Sequence, residues 1–229
     1  MLVDRGIYVQ VVTSAFRQIP PEWAGMERVN IVVSIDGLQP EHDERRKPAT
    51  YARILESIRG HQVIVHCTIT GQMMQRHSYL QEFVEFWSGK PEIRKIWMSM
   101  FTPQLGAAGQ EILKREERVQ AVKELLSLRQ LFPKLDMPEA LLQEFLHPPE
   151  SPEVCVFAQT THTISADLKS KITPCQFGGT PDCSQCGCFA SMGLAAVGNH
   201  KIGFGLTAGD IYWASNSISR VLPRNKRAA

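Results

Sequence analysis

The chain has 229 residues, 43% hydrophobic and 21% charged, with a formal net charge of +2 and an isoelectric point near 8.2. That composition suits one medium-sized globular unit, or a larger unit with a small appendage, and it can build an ordinary core. So mild a charge excludes a polyanion-binding surface built on bulk charge, and no nucleic-acid partner is expected. No apolar run reaches the length of about 20 residues that a membrane helix needs, so no membrane partner is expected. The first residues also lack a signal-peptide layout. A cytoplasmic location follows as the expectation, where clustered thiols stay reduced and favour metal over disulfides.

Short β-branched runs at 7–13 (IYVQVVT), Val29–Ile35 (VNIVVSI), 62–70 and 93–101 predict strands. Between them, apolar residues at three- and four-residue spacing predict helices over 51–59, 79–87 and 111–132. Repeated strand–helix–strand units imply parallel strands joined by right-handed crossovers, an α/β fold. The near-continuous apolar character of VNIVV suggests a strand buried on both faces. Five prolines punctuate residues 133–152 around one short helix at 140–147, and a domain boundary is expected near residue 150. Beyond it, 154–158 and 161–167 are expected to pair as a hairpin, with a small-residue helix at 189–197. The basic tail at 220–227 reads as a solvated terminus.

Cys175, Cys183, Cys186 and Cys188 lie in the run C-x7-C-x2-C-x-C, and Cys155 precedes Cys175 at C-x19-C. Thiolates so close in sequence can converge on one metal centre with little help from a long-range fold. A disulfide knot would need an oxidising compartment. Structural zinc commonly takes two ligands from each of two knuckles, and here C-x2-C has no second knuckle and no histidine beside it. An iron–sulfur cluster is held by cysteine thiolates that often come in closely spaced runs. Gly178, Gly179 and Gly187 let backbone amides approach sulfur under either metal reading. Spacing alone leaves zinc and iron–sulfur open. Cys67 stands apart, mid-strand beside His66, so one should face inward and the other outward; Cys67 is expected to pack as a small apolar residue. His162 and His200 are not at ligand spacing from the cysteines and are not assigned.

Two stretches together resemble radical S-adenosylmethionine enzymes that carry a C-terminal SPASM or twitch domain. The first is VVSIDGLQPEHDERRKPATYARILESI, residues 32–58, with a strand ending S-x-D-G, then H-D and an arginine-rich turn. The second is the span 155–188, opening C-x14-S-x4-C with Ser170 where the family usually has glycine, and closing with a shortened cysteine run. The resemblance implies a partial (β/α) TIM-like barrel of parallel strands over 1–150. It implies a small cysteine-rich domain over 151–229 holding an auxiliary 4Fe-4S cluster. The family's CxxxCxxC motif, which binds the catalytic cluster, occurs nowhere in these 229 residues. The first strand resembles the family's third, which leaves two alternatives: a protein that has abandoned radical chemistry, or a truncated one. The expectation is the second, an N-terminally truncated barrel whose exposed strand edge invites aggregation. This chain alone is then expected not to cleave S-adenosylmethionine.

By the same resemblance, Ser34 and Asp36 would face S-adenosylmethionine or the substrate, and Gly37 would let the loop turn. Asp43, Arg45 and Arg46 would anchor the cofactor's carboxylate, although such a charged run is also the ordinary composition of a solvated loop. Thr70 and Ser99, near later strand ends, are weaker candidates. Cys175, Cys183, Cys186 and Cys188 would ligate the cluster, with Cys155 as an additional or replacement ligand. No catalytic residue is assigned. A full-length relative would abstract hydrogen from a peptide or small-molecule substrate and draw electrons from a donor such as flavodoxin or ferredoxin. The alternative class is a non-catalytic α/β binding module with a structural four-cysteine zinc site.

Overall fold

A computed structural model describes residues 2–221 of the chain, and positions 222–227 of the basic tail lie outside the described residues. Strands β1 (Val9–Thr13), β2 (Val29–Ile35), β3 (Val63–Ile69) and β4 (Ile93–Met100) form one parallel sheet in sequential order. Helices α1 (Gln39–Arg46) and α2 (Tyr51–Ser57) cross from β2 to β3, and α3 (Gly71–Met74) and α4 (Tyr79–Ser88) from β3 to β4. Helices α5 (Arg115–Leu131) and α6 (Glu139–Glu144) follow β4.

Strand register sorts the side chains. Val33 opposes Val65, and Cys67 opposes Met98, so alternate apolar residues line up on one face. They form one continuous buried cluster with Ile54 of α2, Leu80, Phe83, Val84 and Trp87 of α4, and Val122 and Leu125 of α5. Ile31, Val32 and Val33 are all buried, so β2 is covered on both faces as its composition implied. The sheet stays open: the described residues do not close it into a barrel, and no strand among them pairs with the outer edge of β1.

The start of α5 and the hairpin after it depart furthest from expectation. Helix α5 starts at Arg115, four residues late, because the Glu117 carboxylate accepts from Lys114 N at 2.8 Å and caps the helix there. The residues before it are held elsewhere, with Gly71 N donating to Glu111 O at 2.9 Å. The expected hairpin at 154–167 is also displaced. Residues Val156–Thr160 form helix α7, and the hairpin is β5 (Thr163–Ile164) with β6 (Lys171–Ile172). The Asp167 carboxylate accepts from Lys169 N, Ser170 N and Ser170 Oγ, which fixes the turn between those strands. Helix α8 (Phe189–Gly198), the hairpin β7 (Lys201–Gly203) and β8 (Leu206–Thr207), and helix α9 (Ala208–Val221) complete the chain.

The cysteine-bearing segment docks on the end of β4. Met100 N donates to Gly187 O at 2.9 Å, Gly187 N to Thr102 Oγ1 at 2.9 Å, and Phe189 N to Ser99 Oγ at 3.2 Å. Gly187 is required there, because a Cβ would stand 2.0 Å from Met100 O. Substituting Gly187→Ala should therefore destabilise the protein by about 3 kcal/mol in urea unfolding, the upper range for forced overpacking. At Gly109 an added Cβ meets nothing within 4 Å, so Gly109→Ala should stay within about 0.5 kcal/mol of the parent. Equal stability of the two variants would contradict this docking.

Candidate functional site

Five cysteines line one cavity. Cys155 enters from the residue preceding α7, Cys175 from the loop after β6, Cys183 and Cys186 from a 3-10 turn, and Cys188 from the N-cap of α8. All six cysteines of the chain are free thiols, and Cys155, Cys186 and Cys188 are buried. The rest of the wall is largely apolar, from Pro149, Pro152, Phe157, Phe177 and Pro181. Among the described residues, no group of three or more His, Cys, Asp or Glu is arranged to hold a metal ion.

Polar contacts to the sulfurs are specific. Gln176 Nε2 donates to Cys188 Sγ at 3.0 Å, Ser191 N donates to the same sulfur at 3.4 Å, and Cys155 Sγ lies 3.2 Å from Ser191 Oγ. Cys188 thus sits at the N-terminus of a ten-residue helix, where the dipole favours negative charge. Burial pushes the Cys183 thiol up to about 11, and Cys186, Cys175 and Cys155 push in the same direction. Burial, then Cys186 and Cys155, push Cys188 up to about 11 as well. Without a cation among them these two remain protonated at neutral pH; a metal ion reverses that balance by binding thiolate. Arg118 of α5, 8% exposed, donates to Gln185 O at 2.7 Å, Cys186 O at 3.0 Å and Phe145 O at 3.2 Å. It locks the turn carrying Cys183 and Cys186 onto the core.

The second region is the rim at the strand C-termini, a cleft of about 460 Å³ lined by Asp36, Glu41, Glu44, Arg45, Arg76 and Glu111, among others. Arg46 grips Asp36 with two bonds, Nε to Oδ2 at 2.5 Å and Nη2 to Oδ1 at 3.0 Å. Arg45 pairs with Glu111, and Arg76 with Glu82. Asp43 accepts from Tyr51 N at 2.7 Å and so supports the start of α2. The charged run expected as an anchor is a helix, α1, that holds its own neighbours. Gly37 adopts φ +119°, and a Cβ on it would stand 2.4 Å from Tyr79 Oη. Tyr51 Oη donates to Gly37 O at 2.5 Å, and Leu38 N donates to Tyr79 Oη at 2.8 Å. Ser34 opposes His66 in the β2–β3 register, and Thr70 is a buried residue lining the rim.

His42, which no signal in the sequence singles out, is fully buried. Its Nδ1 accepts from Asp36 N at 2.9 Å, so the neutral ring donates Nε2–H to Ala49 O at 2.8 Å. Arg118 is equally silent in the sequence, since a charged residue in an amphipathic helix gives no sign of facing inward. Ser99 is held by His66 Nε2 at 2.7 Å besides Phe189 N, and Cys67 is buried in the core as expected of a small apolar residue.

No family model matches the chain, and no curated protein matches it. The chain is similar to a solved structure described as native anSMEcpe with bound AdoMet, at 15% identity and a TM-score of 0.49. The likeness covers 75% of this chain and 51% of that one, so the chain spans about half the length of that structure. Among the described residues no helix is long and apolar enough to cross a membrane.

Burial lowers the pKa of His42 below its usual value. Well above about pH 6.5, the ordinary histidine pKa, neither folded nor unfolded ring binds a proton, and His42 contributes its full stability. As the pH falls below that value, the unfolded ring takes a proton the folded ring resists, so stability is lost. Burial lowers His66 in the same direction. Unfolding curves should show stability falling between pH 7 and pH 5. His42→Ala should cost about 2–4 kcal/mol at pH 7 for two orphaned backbone groups and lost packing, and should flatten that slope. An unchanged slope would remove His42 from the account.

Proposed function

We propose that the chain is a radical S-adenosylmethionine-like protein, a partial barrel followed by a SPASM- or twitch-like domain whose cysteine cavity holds one 4Fe-4S cluster. The observation that carries this reading is the set of five thiols around one largely apolar cavity, docked on the C-terminal end of a parallel strand. In a 4Fe-4S cluster each iron takes its own cysteine, and the five thiols lining this cavity are enough to supply four such ligands. When bound, such a cluster supplies one-electron redox chemistry.

The chain's own residues do the rest. Gln176 Nε2 and Ser191 N stabilise negative charge on Cys188, and the cationic Arg118 lies against the backbone carrying Cys186. The prolines and phenylalanines around the thiols exclude water. S-adenosylmethionine carries an α-amino-acid head with both signs of charge, and the rim cleft offers both, from Arg45 and Arg76 and from Glu41 and Glu44. Arg46 acts there by holding Asp36 at the strand exit beside Ser34 and Gly37. A cytoplasmic setting, a peptide or small-molecule substrate, and a flavodoxin- or ferredoxin-like donor complete the proposal.

Anaerobic reconstitution tests it. We expect about four iron and four sulfide per chain with broad absorption near ~400 nm, and iron content at least halved in Cys183→Ser and Cys186→Ser. A colourless protein with one zinc per chain would favour the structural-zinc binding module instead. The same protein, incubated with S-adenosylmethionine and dithionite, should release no 5′-deoxyadenosine, since its sequence has no CxxxCxxC; detecting that product would show a catalytic centre this account lacks.

A further inference from the structure

Opposite the helix-packed face of the sheet is a crevice of about 430 Å³, closed on its far side by the cysteine segment. Its wall includes aromatic rings. Trp97 of β4 and Phe189 of α8 stack at 4.8 Å between centroids with a 19° interplanar angle, and Phe177, 41% exposed, lines the same space. Polar groups enter from several elements: Gln10 of β1, His66 of β3 and Gln176 of the cysteine segment. Among the described residues no Asp, Glu, Lys or Arg lines it, whereas the rim cleft is lined mainly by them. An ion entering such a space would lose its hydration without gaining a counter-charge. An uncharged ring would gain stacking contacts and keep a hydrogen bond for any hydroxyl or ring N–H it carries.

We propose that this crevice is a binding site for an uncharged aromatic group, with Trp97, Phe189 and Phe177 as its apolar contacts and His66 as its polar one. His66 is held for that role. Its Nε2 meets Ser99 Oγ at 2.7 Å, and Ser99 Oγ also accepts from Phe189 N at 3.2 Å, so one hydroxyl ties the imidazole to the cysteine segment. As a statement about the substrate this rests on the function proposed above; as a binding site it stands without the cluster.

The test uses the full chain, with iron quantified in the same sample, and small aromatic probes: p-cresol and indole, both uncharged, against the ions 4-methylbenzoate and 4-methylbenzylamine, with toluene as the apolar control. Calorimetry or ligand-observed NMR should show the uncharged pair binding at least tenfold more tightly than either ion. Ala190 lines the crevice and is itself exposed, so Ala190→Phe should block the space without disturbing the core, while Ala190→Ser should not. His66→Phe should weaken p-cresol at least fivefold and leave toluene unchanged. Equal binding of charged and uncharged probes, no binding of any, or binding indifferent to Ala190→Phe would each overturn the proposal. Probe binding in an iron-free sample would separate this site from the fate of the cluster.

Discussion

Met100 N donates to Gly187 O across 2.9 Å, and this contact joins the last strand of the sheet to the middle of the cysteine run. Everything proposed for the molecule needs that junction, because it sets three thiol-bearing positions within a few residues of a strand end. The contact is close enough that only a residue without a Cβ fits. Arg118 reinforces it from the other side by satisfying three carbonyls with one buried guanidinium. Hydrogen bonds to a charged donor contribute about 1.5–3 kcal/mol each, and together they offset the cost of burying a cation. The cysteine segment is therefore held by backbone and core, and not by its sulfurs alone.

Two chemically different spaces result on either side of the strand ends. The rim is charged and open, with its guanidiniums already engaged by carboxylates that water can screen and a ligand can displace. The crevice beneath the cysteine segment is uncharged and aromatic, so a hydrogen bond from His66 there acts in a less polar medium and is stronger for it. His42, Tyr51 and Tyr79 keep the loop between β2 and α1 in one conformation, which fixes where the rim ends. A single turn, Asp36 to Leu38, separates the strand from that rim.

The strands were legible in the sequence because their β-branched runs have a period that tertiary context had no reason to override. Helix α4 was equally plain from Leu80, Phe83, Val84 and Trp87. Residues 39–46 were not read as a helix, since its only buried residue is His42 and its charges look like those of a loop. Alternation around Val154 and Val156 imitates a strand, whereas the hairpin forms around an Asp167-centred turn flanked by serines. At the site, the clustering of Cys175 to Cys188 was visible from spacing, and Cys155 joins them across the fold. The Arg46–Asp36 pair is not visible in the sequence, because a carboxylate ten residues away comes within reach only once α1 forms. Neither Arg118 nor the Trp97–Phe189 stack could be read from one sequence, as both depend on where the cysteine segment docks.

The most direct measurement is Mössbauer spectroscopy on protein produced with iron-57 and purified without oxygen. Tetrahedral, sulfur-coordinated iron with the coupled spectrum of a cluster is expected, at least halved in intensity when Cys186 is replaced by serine. Iron that is absent, or bound as isolated octahedral ions through oxygen ligands, would contradict it.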